Sequence, residues 1–165
     1  MSEPHIIAVD IDLGRVTAVS SVKGVLCHGQ PWQEGEPLAA ADLYLIEVAG
    51  PILHHEESHS YRRWMIFNSM FTGLLASQLE EAGFQVLVAA STAWTEGYTE
   101  PERHAIAGML PLKHKLVKGT KVPIYKEAHD IRECRAMLDF YRKCPKHWVP
   151  LDQYLQSLVT AKGKT

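Results

Sequence analysis

Two acidic residues close runs that are otherwise apolar. Asp10 follows Ile6-Ile7-Ala8-Val9, and Glu47 follows Leu43-Tyr44-Leu45-Ile46. An unpaired carboxylate at the end of a core strand is costly, or it takes up a proton. A divalent cation offsets two such groups at once, and oxygen donors select Mg²⁺ or Mn²⁺. Further on, Asp130 and Glu133 stand three residues apart, the interval that puts both on one face of a helix, with Glu127 one step further back. If that helix packs beside the two strand ends, four carboxylates converge. Two cations held about 4 Å apart by such a cluster activate a water and stabilise the leaving oxygen in phosphodiester cleavage. Each acid also has an ordinary reading. Asp10 and Asp12 suit a turn, Glu47 an exposed strand end, and Asp130 with Glu133 a solvated helix face. The combination of all four favours the metal reading.

The elements that must position these acids are readable from pattern. His5 to Asp12 reads as a strand covered on both faces. Leu13-Gly14 turns the chain into a second strand over 15–22, and Lys23-Gly24 into a third over 25–28. Residues 29–37 read as a loop, 42–49 as a fourth strand, and 54–60 as a polar, mobile loop. Trp64, Phe67, Phe71, Leu74, Gln78 and Ala82 follow three-or-four spacing and give a helix over 64–82, stopped by Gly83. Residues 84–90 form a short apolar strand. Thr99-Glu100-Pro101-Glu102 carries a capping box that opens another helix. Residues 111–126 read as irregular and basic, and 127–143 as a final helix with Ile131, Cys134, Leu138 and Tyr141 on one side. The order predicts an α/β domain with a mixed central sheet and a right-handed crossover from the fourth strand to the fifth. Residues 1–145 would form the domain, and 146–165 a C-terminal extension with a short helix and a polar tail.

Composition narrows the setting. The 165 residues are 46% hydrophobic and 22% charged, which suits one ordinary globular core rather than disorder. A net charge of −2 excludes a uniformly basic coat but leaves room for a local basic patch. No apolar run reaches membrane-spanning length, so no membrane partner is expected. No secretory signal is visible, and Cys27, Cys134 and Cys144 form no paired motif, so the expected setting is the cytoplasm.

The motifs and their order resemble the RuvC branch of the ribonuclease H-like superfamily, over about residues 5–143. The resemblance rests on Ile6-Ile7-Ala8-Val9-Asp10-Ile11-Asp12-Leu13-Gly14-Arg15-Val16-Thr17, on Leu45-Ile46-Glu47, on segments 67–81, 86–91 and 102–109, and on His129-Asp130-Ile131-Arg132-Glu133. It implies a ribonuclease H-like fold with a mixed five-stranded sheet in the order 3-2-1-4-5, flanked by helices. It also implies a homodimer that cuts four-way DNA junctions, with Asp10, Glu47, Asp130 and Glu133 as catalytic ligands of two Mg²⁺ or Mn²⁺ ions, in a bacterium or a phage-infected cell. The chain departs from the family at Ile11-Asp12, where Pro-Gly is usual, and at Glu133, where Asp is commoner. It also lacks the family's helix between the third and fourth strands. An RNA-processing or flap nuclease of the same fold, and a branched-DNA binding module without catalysis, remain as alternatives.

Other residues suit the same substrate. Lys113, Lys115, Lys118 and Lys121 could follow a phosphate backbone, or form a solvated loop. Arg62 and Arg63 beside Tyr61 and Trp64 could hold phosphate near an unpaired base, or Trp64 could be core. Asp12 is a spare ligand or a turn residue, and His129 a proton-transfer aid or a structural histidine. His54, His55 and His59 suit substrate contact better than zinc, since no Cys partners accompany them. Ser91 and the cysteines lack a general base, so nucleophilic catalysis is not expected.

Overall fold

The computed structural model describes residues 2–33, 39–49 and 59–162. Strands β1 (Ile6–Asp12), β2 (Arg15–Ser20) and β3 (Gly24–Pro31) form the expected meander, and β4 (Leu43–Val48) lies parallel to β1 on its other side. Helix α1 (His59–Glu81) leads to β5 (Val86–Ala90), parallel to β4. The core order β3-β2-β1-β4-β5 is the ribonuclease H-like arrangement expected. The sheet has six strands rather than five, because β8 (Val149–Pro150) pairs antiparallel with β5 at the edge. The sequence beyond residue 145 thus supplies a strand, followed by helix α5 (Leu151–Lys162).

Alternation along the strands decides what each helix covers. Ile6, Ala8, Leu43, Leu45, Leu87 and Ala89 face one layer, with Ile131, Cys134, Met137 and Phe140 of helix α4 (His129–Lys143) packed on them. Ile7, Val9, Tyr44, Ile46 and Val88 face the other layer, under Leu75, Ala76 and Leu79 of α1. Asp10 and Glu47 share the parity of Ala8 and Leu45, so both belong to the α4 side.

Three expectations need correction. Helix α1 begins at His59 rather than Trp64, and it buries Met65, Asn68, Thr72, Leu75, Ala76 and Leu79, whereas Phe67 and Leu74 of the three-or-four pattern are exposed. The helix is apolar on two sides, and the polar Asn68 and Thr72 disguise the buried one. Residues 111–126 are not irregular. They hold the hairpin β6 (Lys113–Val117) and β7 (Thr120–Ile124), which turns through Lys118 and Gly119 at φ 49° and 81°. Both turn residues take left-handed backbone, as a tight hairpin turn demands. Finally, α4 starts at His129, so Glu127 lies outside the helix and pairs with Arg135 at 2.6 Å. His54 and His55 lie outside the described residues, and His59 opens α1.

Gly14 is required where β1 turns into β2. Its φ is +78°, and an added Cβ would stand 3.1 Å from the Phe71 ring of α1. That close approach seats α1 against the carboxyl end of β1.

Candidate active site

The register that pairs Val9 with Ile46 sets Asp10 and Glu47 side by side, one step further along parallel neighbours. Parallel strands in register project such residues to the same face. Helix α4 crosses that face with its N-terminus over the strand ends. Asp130 and Glu133 lie in its first turns, where the helix dipole favours negative charge. The four acids from three elements line one cleft of about 300 Å³, together with Asp12, Trp64, Asn68, Ser91, Thr95, Arg103 and His129.

Crowded carboxylates in a half-covered cleft resist ionisation. Burial first, and then the neighbouring charges of Glu47 and Asp130, push Asp10 up from 3.8 to about 8. Burial pushes Glu47 up from 4.5 to about 7, against the opposing hydrogen bond from Trp94, whose Nε1 donates to Glu47 Oε2 at 2.5 Å. Cys134 is fully buried beneath Asp10, and its thiol is held well above its ordinary value by that burial.

Glu133 behaves differently. Burial would raise it, but bonds from His104 and Arg103 outweigh burial and hold it below its ordinary value. Arg103 Nη2 lies 2.9 and 3.0 Å from the two carboxylate oxygens, and His104 Nε2 lies 2.8 Å from Oε1. The guanidinium of Arg132 donates from Nη1 to His104 Nδ1 at 2.7 Å, so Nδ1 is the acceptor. The proton of this imidazole therefore sits on Nε2 and is donated to Glu133. Oε1 takes two bonds and Oε2 one, which leaves Oε2 the freer oxygen. Arg132 also contacts Glu100 at 3.1 Å and stacks over Tyr125 at 3.8 Å.

The sequence did not single out Trp94, Arg103, His104 or Arg132. These lie on the short helix α2 (Ser91–Trp94), on α3 (Glu100–Ile106) and on α4, and they meet the acids only through the fold. The one local hint was the capping box at Thr99 and Glu102, which is present and places α3.

Other expected residues are distributed as follows. Asp12 stands at the end of β1 and accepts a hydrogen bond from Trp64 Nε1 at 2.9 Å. Trp64 is neither core nor free. It stacks on Tyr61 at 5.7 Å and forms part of the cleft wall. Arg62 is half-buried and Arg63 exposed. His129 reaches Glu100 at 3.1 Å through Nδ1. The lysines do not form one stripe. Cross-strand pairing puts Lys113 and Lys115 on one face of the hairpin with Ile124 and Val122, and Lys121 on the other with Leu116. Lys118 is in the turn. The hairpin leads into Tyr125, whose ring packs edge-on to His104, the partner of Glu133, at 5.7 Å.

Among solved structures, the chain is similar to RuvC of Thermus thermophilus, at 13% identity, covering 89% of this chain and 99% of that one, with a TM-score of 0.46. It is also similar to T. thermophilus RuvC in complex with Holliday junction substrate, at 14% identity, the same coverage and a TM-score of 0.48. No family model and no curated protein matches the sequence. The RuvC branch is the one its motifs resemble.

Among the described residues, no three of the four acids bring oxygens within 4.8 Å of one another. Glu133 is turned to Arg103 and His104, and Glu47 to Trp94. The donor set nevertheless suits a hard divalent cation. It is all oxygen, and a positive charge held between Asp10 and Glu47 would favour the ionised form that their burial resists.

Proposed function

We propose that the chain is a divalent-metal-dependent endonuclease that cleaves branched DNA, with the four-way (Holliday) junction as substrate. The observation that carries this reading is the meeting of Asp10, Glu47, Asp130 and Glu133 in a single cleft. These four would hold two Mg²⁺ or Mn²⁺ ions. When bound, such ions activate a water and stabilise the leaving oxygen of the scissile phosphodiester. The remaining work falls to the chain. Asp10 and Glu47 are fixed by β-sheet register, and Trp94 orients Glu47. Arg103 and His104 hold Glu133, with two bonds to Oε1 and one to Oε2, as outer partners of a ligating carboxylate do. Trp64 and Tyr61 offer an aromatic surface at the lip for an unpaired base at the branch point. Arg62, Arg63 and the hairpin lysines position phosphates.

The test is cleavage, with Mg²⁺, of a synthetic four-way junction, linear duplex and an RNA–DNA hybrid. The reading expects symmetric nicking of the junction. Preference for the hybrid would point to the RNA-processing alternative. The capture of Glu133 by Arg103 favours a second reading, a junction-binding module without catalysis. Tight junction binding with no metal-stimulated cleavage would support it.

The hairpin makes a narrower prediction. Each lysine that neutralises one phosphate contributes about 0.9 to the slope of log affinity against log salt. Lys113→Ala with Lys115→Ala should lower that slope by about 2, measured by fluorescence anisotropy across a salt series. An unchanged slope would place the DNA elsewhere.

A junction with two equivalent strands calls for a two-fold homodimer. Ile66, Phe67, Met70 and Leu74 form an exposed apolar stripe on α1, suited to a second copy. Phe67→Glu should turn a dimer into a monomer in sedimentation velocity at micromolar concentration. A parent that sediments as a monomer, or a variant that stays dimeric, would remove α1 from the interface.

A further inference from the structure

A second set of metal-ligating side chains lies outside the acidic cleft. Glu96, Cys144 and His147 bring one ligand atom each to within 4.8 Å of one another. Glu96 sits in the turn after α2, Cys144 ends α4, and His147 closes the 3₁₀ turn Pro145–His147. We propose that these three residues bind one Zn²⁺ ion, with water in the fourth position.

The donors fit that ion rather than the magnesium class. A thiolate, an imidazole and a carboxylate are a zinc set, whereas Mg²⁺ takes oxygen alone. The spacing fits as well. Cys144-Pro145-Lys146-His147 has two residues between its donors, the short chelate interval of zinc sites. Pro145 and the 3₁₀ turn fix the path between them, with Trp148 N–H bonded to Pro145 O at 3.0 Å. The third donor comes from a distant part of the chain and is already in place, because His147 Nε2 lies 3.2 Å from Glu96 Oε1. Tetrahedral ligation with zinc bonds of 2.0–2.3 Å puts ligand atoms roughly 3.5 Å apart. Closing from 4.8 Å or less therefore needs a shift on the order of 1 Å in side chains that are half-buried or exposed.

The site would pin two segments that support the cleft from below. Glu96 is two residues from Trp94, the donor to Glu47, and His147 adjoins Trp148, whose ring lies 6.1 Å from that of Trp94. Zinc here would tie the α2 turn to the start of β8 around this tryptophan pair. The proposal does not depend on the nuclease reading, since it concerns different residues and a different ion.

The experiment is titration of the full chain with Co²⁺ as a spectroscopic stand-in, followed by displacement with Zn²⁺. Thiolate ligation produces an intense sulfur-to-cobalt absorption at one equivalent. That band should be present in the parent, in Cys27→Ser and in Asp10→Asn. It should be lost in Cys144→Ser, and zinc affinity should fall by more than about a hundredfold, beyond what losing an outer partner costs. His147→Gln and the exposed-residue change Glu96→Gln should each weaken binding while keeping the fold, checked by circular dichroism. A cobalt spectrum without the thiolate band, or a band unchanged in Cys144→Ser, would overturn the site. So would zinc binding abolished by Asp10→Asn alone.

Discussion

Asp10→Asn should abolish metal-stimulated junction cleavage and, in the same protein, raise the melting temperature of the metal-free form at alkaline pH. The first effect follows from the role proposed for Asp10 as a metal ligand in the cleft. A single well-placed electrostatic contact is worth roughly 10²–10³ in rate, and Asp10 should be worth at least that. The second effect follows from linkage. The folded state holds the Asp10 proton up to about pH 8, against 3.8 for the ordinary carboxyl. The raised group therefore contributes stability that is complete at low pH and is lost as pH rises through the interval to about 8. Glu47, raised to about 7, acts in the same sense. Asparagine keeps the shape without the charge. Metal-free Asp10→Asn should melt with the parent near pH 4 and above it at pH 9, by at least about 2–4 °C, the shift that 1 kcal/mol makes at this size. Mg²⁺ should raise the parent's melting temperature and leave the variant's unchanged. A variant less stable than the parent at pH 9 would contradict the crowding of acids around Asp10.

Arg103→Ala should have the opposite sign. The guanidinium and the Glu133 carboxylate are both nearly buried, at 13% and 9% side-chain exposure. Removing one partner of such a pair leaves an uncompensated charge and costs about 3–5 kcal/mol. The metal-free protein should therefore lose on the order of 10 °C in melting temperature. A divalent cation supplies the missing positive charge, so Mg²⁺ should restore more stability in the variant than it adds to the parent. Cleavage should fall about 10–100-fold, the usual cost of losing a partner that orients a metal ligand. Arg103→Lys keeps the charge but not the contact to both oxygens, and should lie between. Calorimetry with and without Mg²⁺ measures the stability changes, and the four-way junction assay measures the cleavage. A variant that melts with the parent would mean that Arg103 does not hold Glu133 in solution.

The sequence was most informative where periodicity and chemistry coincide. Asp10 and Glu47 stand out because each ends an apolar run, and strand alternation then carries both to the α4 face. Asp130 and Glu133 stand out only by spacing, and the α4 pattern of Ile131, Cys134 and Leu138 orients them. Periodicity failed on α1, whose exposed Phe67, Met70 and Leu74 compete with the buried stripe as candidates for the core. It failed again on the hairpin, where both strands are largely exposed and show no apolar alternation. Strand β8 is two residues long and ends in a proline, too short to leave a pattern. Arg103, His104 and Trp94 were invisible for another reason. Their partners lie about 30 to 47 residues away, so only the folded chain relates them to the acids.

The pairing of Glu133 with Arg103 makes diffraction from a Mn²⁺-soaked crystal the most direct test of the whole account. Anomalous density should mark cations in the cleft, in direct contact with Asp10, Glu47 and Asp130, with Glu133 Oε2 drawn toward them. A cleft without anomalous density at saturating Mn²⁺, with the Arg103 contacts to both Glu133 oxygens intact, would contradict it.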